Sequence, residues 1–286
     1  MPLEPLVGSA SAYVLAFVLG ALLGSFANVC ILRIPRGQSI VRPPSHCGSC
    51  GAPVRWYDNL PIVSYLLLRG RCRACGVSFS PRYLFVELAT GLLVLALYQL
   101  CVGQHAVTED LPLRLARFGV YTLFTLTLVV ITFIDLDHKK IPDRITYPGI
   151  PLFFLFGQLL GDVSLLDRGI GVVAGYGVVR LLSDGYYYLT KREGLGYGDG
   201  KLLALVGGLL GWRAVLFSLF GGSLLGTLII LPVILLTRRR SAPAVDENGE
   251  EISIRHVELP FGPFLAVAAV VYLFLGDMLM VGLAGW

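Results

Sequence analysis

The stretch Gly194-Leu195-Gly196-Tyr197-Gly198-Asp199-Gly200-Lys201 puts one carboxylate behind three alternating glycines, directly before a long apolar run. A second carboxylate, Asp135, closes the apolar run 118–134. Two carboxyls that converge on one water cannot both ionise cheaply. They share a proton, one taking a proton from the water while the other gives one to a scissile carbonyl. That is aspartyl-protease chemistry, with Asp135 and Asp199 as the candidate catalytic pair. Glycines have no Cβ, so Gly196 and Gly198 let an extended peptide come close to the backbone, and they place Asp199 at a helix start. The positive end of that helix dipole beside Asp199 leaves Asp135 as the expected holder of the shared proton. A phosphate-loop reading fails, because no strand precedes the glycines and the Gly-x4-Gly-Lys-Ser/Thr order is absent.

A second constellation is made of thiols. Of six cysteines, Cys30 and Cys101 lie at the ends of apolar runs and read as packing residues, whereas Cys47-x2-Cys50 and Cys72-x2-Cys75 form two paired motifs. Each pair is followed by a glycine, which suits a turn whose backbone amides point at thiolate sulfur. The interval from Cys50 to Cys72 slightly exceeds the usual ribbon spacing of about 15–20 residues. Four thiolates at such spacing predict a closed, tetrahedral and therefore structural Zn2+ site. Two disulfides are the alternative if the loop faces an oxidising compartment. His46 neighbours the first pair as a possible substitute ligand.

The elements that must carry these groups are membrane spans. The runs 13–31, 83–102, 118–134, 145–160, 170–190 and 261–283 each approach the roughly 17–25 apolar residues that a bilayer helix needs. The run 202–236 is too long for one span and is broken at Gly211-Trp212-Arg213, giving two, the first short. The expectation is an all-α polytopic membrane protein of about eight transmembrane helices with a small cytoplasmic zinc-ribbon-like loop. With the N-terminus outside, most of the 23 lysines and arginines fall on the cytoplasmic side, and only Arg114, Arg117, Arg168 and Arg213 fall in outer loops. The net charge of +4 is thus a topology signal and not a nucleic-acid footprint. The first apolar run has no basic flank before it and no small-residue cleavage pattern after it, so an uncleaved first helix is expected. The organisation is a first helix (1–34), a cytoplasmic zinc-binding loop with its four cysteines (35–82) and a transmembrane core (83–286). That core carries a cytoplasmic loop at 237–260, where Asn248-Gly249 suggests a hairpin.

Other acidic residues near the spans have weaker claims. Arg180 and Asp184 stand one helical turn apart and are expected to neutralise each other. Asp143 after Pro142 has the position of an N-cap. Asp137 points to a different face from Asp135. Asp277 lies near an outer interface.

The segments "GYGDGK", "IDLDHKKIPD", "GSFANVCILRIPRG", "RWYDNLPIVSYLLLRGRCRACG" and "PFGPFLA" together resemble the type IV prepilin peptidases over nearly the whole chain. The resemblance implies a GxGD membrane aspartyl protease of the bacterial inner membrane that removes the short basic leader of prepilins and pseudopilins. Its two catalytic aspartates fall on Asp135 and Asp199. It also implies N-methylation of the new N-terminus from S-adenosylmethionine. No GxGxxG marks a pocket for that cofactor. Trp56 and Asp58 in the first loop are candidate contacts, with a role in folding the loop as the alternative. Two rivals belong to other classes: a proton- or ion-coupled transporter using the same aspartates, and a noncatalytic platform for pilin assembly.

Overall fold

The computed structural model describes residues 7–103, 109–191, 196–240 and 260–283. Gly194 and the hairpin expected around Asn248-Gly249 lie outside the described residues. Among these residues the regular structure is helical, and the only β pairing is two isolated bridges, His46 with Pro53 and Arg71 with Ser78. The chain divides into two compact units, Met1–Ile134 and Asp135–Trp286.

In the first unit α1 (Ala10–Arg33) packs along α3 (Arg82–Tyr98), which continues as a π turn over Gln99–Gly103. Small residues set this approach. A Cβ at Gly20 would lie 2.7 Å from the Val94 Cβ, and one at Gly24 would lie 2.8 Å from the Glu87 Cα. Apolar side chains gain little by leaving lipid for protein, so close backbone packing is what holds such helices together. Between α1 and α3 come a 3-10 turn (Trp56–Asn59) and the short α2 (Val63–Leu67). α4 (Leu111–His138) follows, and its last turn, from Asp135 on, belongs to the second unit.

The second unit contains α5 (Asp143–Leu160), α6 (Leu165–Thr190), α7 (Tyr197–Leu210), α8 (Trp212–Arg240) and α9 (Gly262–Leu283). α7 is its centre: every residue from Leu202 to Leu210 is buried, as expected of a helix that is apolar on all sides. Glycines again allow the contact. A Cβ at Gly207 would lie 2.3 Å from the Gly171 carbonyl carbon, and one at Gly175 would lie 2.6 Å from that of Leu203. At 14 residues α7 is about 21 Å long, short of a bilayer core of about 30 Å. It ends at Gly211, whose φ of +82° only glycine adopts without strain.

All eight apolar segments are therefore helical. Among the described residues, four helices are long and apolar enough to cross a membrane: Ala10–Arg33, Arg82–Gly103, Leu111–His138 and Trp212–Pro232, with a shorter apolar stretch at Gly262–Gly276. Two arginines expected in outer loops instead occupy first helical turns and are buried. Arg114 gives Nη2 to the Val102 carbonyl, and Arg168 gives Nη1 to Gln158 Oε1 at 3.1 Å. Their long stems let the guanidinium reach polar partners inside the helix packing.

Candidate active site

Asp135 stands in the last turn of α4, buried at 5% exposure, while Asp137 on another face of that turn is exposed. The turn is closed by Lys139, whose φ of +52° lets its N–H reach the Asp135 carbonyl at 2.8 Å. Such a left-handed residue is the common way to end a helix. It directs the chain through Ile141-Pro142 into α5.

Asp199 is the third residue of α7 and is also buried, at 7% exposure. Gly196 is the N-cap and has no side chain with which to satisfy the free amides of the first turn. The Asp199 carboxylate supplies what the glycine lacks by hydrogen-bonding back to the Gly196 backbone. This is the returning half of a capping box. Asp135 and Asp199 are close enough for their charges to interact directly. Asp135 has its own backbone donor: the N–H of Gly262, at the start of α9, reaches Oδ2 at 3.1 Å. Asp135 Oδ2 thus also meets a helix N-terminus, that of α9, although Asp135 itself stands at the C-terminal end of α4.

The glycines divide their work. A Cβ at Gly196 would lie 3.5 Å from Asp199 Oδ2, an ordinary contact, and the residue is exposed. A Cβ at Gly198 would come within 3.0 Å of the Ile141 Cβ, so the absent side chain there makes room for Ile141.

Two side-chain tethers hold the first turn of α7. Tyr197 donates its hydroxyl to Asp184 Oδ1 at 2.8 Å, and Asp184 also accepts from Arg180 at 3.2 Å. On the other side Lys201 donates to Asp143 Oδ1 at 2.5 Å, with its ammonium 4.8 Å from the centroid of the Tyr147 ring. Asp143 is thus not the N-cap that its position after Pro142 suggested. No side chain caps α5, and the carboxylate turns to Lys201 because an ammonium is a stronger partner than a backbone amide. Asp184 does pair with Arg180, and it reaches the glycine turn as well.

The four cysteines come together in the first unit. The sulfurs of Cys47, Cys50, Cys72 and Cys75 all lie within 4.8 Å of one another, and those of Cys47 and Cys75 are 3.8 Å apart. Both pairs fold alike. The N–H of Cys47 reaches the Ala52 carbonyl at 2.9 Å and that of Cys72 reaches Val77 at 2.8 Å, while Gly51 and Gly76 take φ of +71° and +72°. The glycine after each pair is therefore a conformational requirement. The amides of Cys50 and Ser49 hold the Cys47 thiol down at about 6. The amide of Val77 pulls Cys75 the same way, yet desolvation and the neighbouring thiols leave it at about 11. A tetrahedron with metal–sulfur bonds of about 2.3 Å has edges of about 3.8 Å, so this donor set fits a metal ion. His46 is placed otherwise: its Nδ1 lies 3.1 Å from the Pro44 carbonyl. Asp58 is bound twice over by Arg73, through Nη2 at 2.6 Å and Nε at 3.0 Å, which braces the 3-10 turn against the second cysteine pair. Trp56 beside it is 81% exposed.

A model of the Type IV leader peptidase family matches residues 122–231, and one of the Bacterial Peptidase A24 N-terminal domain matches residues 18–101. A relative from Myxococcus xanthus (strain DK1622), named prepilin leader peptidase/N-methyltransferase, is 35% identical over 93% of this chain and 91% of its own. The chain belongs to the type IV leader peptidase family. Relatives of the same name from Aeromonas hydrophila and Neisseria gonorrhoeae are each 35% identical, over 92% and 82% of this chain and 90% and 87% of theirs. No solved structure matches. In this leader peptidase, sequence reasoning overlooked Gly262, Ile141, and the tethers through Tyr197 and Lys201. The one available signal was Gly262-Pro263 at a helix start with phenylalanine, a poor cap, before it.

Proposed function

We propose that this type IV leader peptidase hydrolyses the leader of prepilins and pseudopilins by aspartyl-protease chemistry and then methylates the new N-terminus from S-adenosylmethionine. The observation that carries the first step is the buried pair Asp135 and Asp199, one at a helix C-terminus and one at a helix N-terminus of the same compact unit. One carboxylate takes a proton from water as its oxygen attacks the scissile carbonyl. The other gives its proton to the carbonyl oxygen. Collapse of the resulting gem-diol breaks the C–N bond: the amine leaves with the proton taken from the water, and one hydroxyl returns its proton to the carboxylate that had protonated the carbonyl. Gly196, exposed beside Asp199, is where an extended peptide backbone can come close. Gly198 serves indirectly, by giving Ile141 its place.

Eight spans with the N-terminus outside put both the 35–82 loop and the carboxylate pair at the cytoplasmic face of the inner membrane. The core 83–286 is the peptidase. The four sulfurs hold Zn2+, which organises a loop too small to build its own core. S-adenosylmethionine, when bound, supplies the methyl group. Asp58 is already bonded to Arg73, so the exposed Trp56 is the part of that candidate pair still open to a cofactor. The test is incubation of purified protein with a prepilin, with and without S-adenosylmethionine, followed by mass spectrometry of the product. The expected products are a leaderless pilin and its N-methylated form. An uncleaved substrate, or cleavage unchanged in Asp199→Asn, overturns the reading.

A further inference from the structure

We infer that Gly262 is a positioning residue of the hydrolytic site: its backbone N–H fixes the Asp135 carboxylate, and its missing side chain gives that carboxylate room. This rests on the aspartyl-protease reading above. α9 opens with Phe261, whose carbonyl accepts from the N–H groups of Phe264 at 3.1 Å and Leu265 at 3.3 Å. Phe261 is therefore the capping position, and it has no oxygen in its side chain. The first amide inside the helix, that of Gly262, has no partner within α9, and Pro263 has no N–H to give. The missing cap comes from far away in sequence. Asp135 Oδ2, 127 residues earlier, accepts the Gly262 N–H at 3.1 Å in a buried setting. One hydrogen bond thus caps α9 and holds one oxygen of the pair.

Space makes the same demand. A Cβ at position 262 would lie 2.7 Å from Asp135 Oδ2, closer than a Cβ can stand, and 3.3 Å from its Cγ, a tight contact. It would also come within 3.2 Å of the Ile141 Cδ1. Ile141 is the residue that occupies the space at Gly198, so one apolar side chain lies against both glycine turns. There is a consequence for the shared proton. The amide hydrogen bond favours negative charge on Oδ2 and so disfavours a proton there, which leaves Asp135 Oδ1 and Asp199 as the better places for the shared proton.

The test uses the full-length protein in detergent and a synthetic prepilin. Gly262→Ala is expected to lower kcat for cleavage about 100-fold with KM unchanged, since acid–base function typically contributes at least that much. Glycolic acid in place of Gly262 makes an ester, deleting the N–H without adding an atom. Loss of one hydrogen bond to a charged group should lower kcat about tenfold or more. Ile141→Ala combined with Gly262→Ala separates positioning from packing. A packing role predicts that turnover returns, and positioning predicts that it does not, because the contact with Oδ2 remains. Thermal unfolding and metal content should match the parent for every variant compared. Normal kcat in the ester variant, or recovery in the double variant, overturns the inference. Cleavage by Asp135→Asn would instead overturn the aspartyl-protease reading itself, so the two failures are distinguishable.

Discussion

The thiol cluster and the carboxylate pair are built by opposite means. Each half of the thiol cluster is made within a few residues: two cysteines, a left-handed glycine and a backbone turn that repeats almost identically at 47–52 and 72–77. The carboxylate pair has no such local unit. Asp135 ends one helix, Asp199 begins another, and the amide on Asp135 comes from a third. A locally made site tolerates change elsewhere in the fold and fails only when its own residues are altered. A site assembled from helix ends depends on every contact that sets the depth and rotation of those helices.

The sharpest break of this contrast is substitution of the carboxylates. Asp135→Asn and Asp199→Asn should each lower prepilin cleavage by about 100-fold or more, measured on folded protein. The metal content should be unchanged. Substantial turnover by Asp135→Asn together with an inactive Asp137→Asn would move the site to the wrong side of that helix turn.

Next in size is the packing of α7. Gly207→Ala places a methyl group where the α6 backbone already stands, 2.3 Å away, and overpacking of this kind costs about 1–3 kcal/mol. Cleavage and thermal stability should fall together, whereas the cysteine loop should keep its metal. Loss of metal in this variant would show that the loop is not a self-contained structure.

Replacing Cys47 and Cys50 by serine tests the converse. Metal, measured by elemental analysis, should drop from about one zinc per chain to none, since a tetrahedral site does not survive the loss of two thiolates. Hydrogen exchange should rise across the loop while the helices persist. Stoichiometric disulfides without metal in protein purified under reducing conditions would refute the zinc assignment.

The tethers of the glycine turn should matter less. Lys201 is largely buried but Asp143 is mostly exposed, at 14% and 57% of their side chains, so the pair contributes about 0.2–1 kcal/mol. Asp143→Asn and Asp184→Asn should each change kcat only a few-fold, and an inactive, folded Asp184→Asn would promote that residue to the site itself.

The smallest effect concerns the brace of the loop. Hydrogen bonds from Arg73 hold the Asp58 carboxyl below the usual carboxylate range. A lowered value means stability that is present above the unfolded value, about 3.9, and lost as pH falls through the folded one. The difference in hydrogen exchange at 56–59 between the parent and Asp58→Asn should be present at pH 7 and vanish in acid. A difference that grows as pH falls would contradict the ion pair.

The sequence by itself determined whatever depends on near neighbours. Apolar runs of helical length marked the eight longer helices among the described residues and even the break at Gly211, because a long apolar stretch is best served by a helix that satisfies its own backbone groups. The repeated Cys-x2-Cys-Gly pattern marked the thiol cluster, because its turns close within each pattern. It also singled out Asp135 and Asp199 by their place at the ends of apolar runs, where a charge is costly. Only the tertiary structure decided what those carboxylates touch. Asp143 follows Pro142 like a cap and instead binds Lys201; Arg168 looks like a loop residue and is buried against Gln158. The amide of Gly262 reaches Asp135 across 127 residues. No periodicity encodes such a contact, because it arises where helix ends meet, and their meeting depends on packing such as that of α7 against Gly171 and Gly175 of α6.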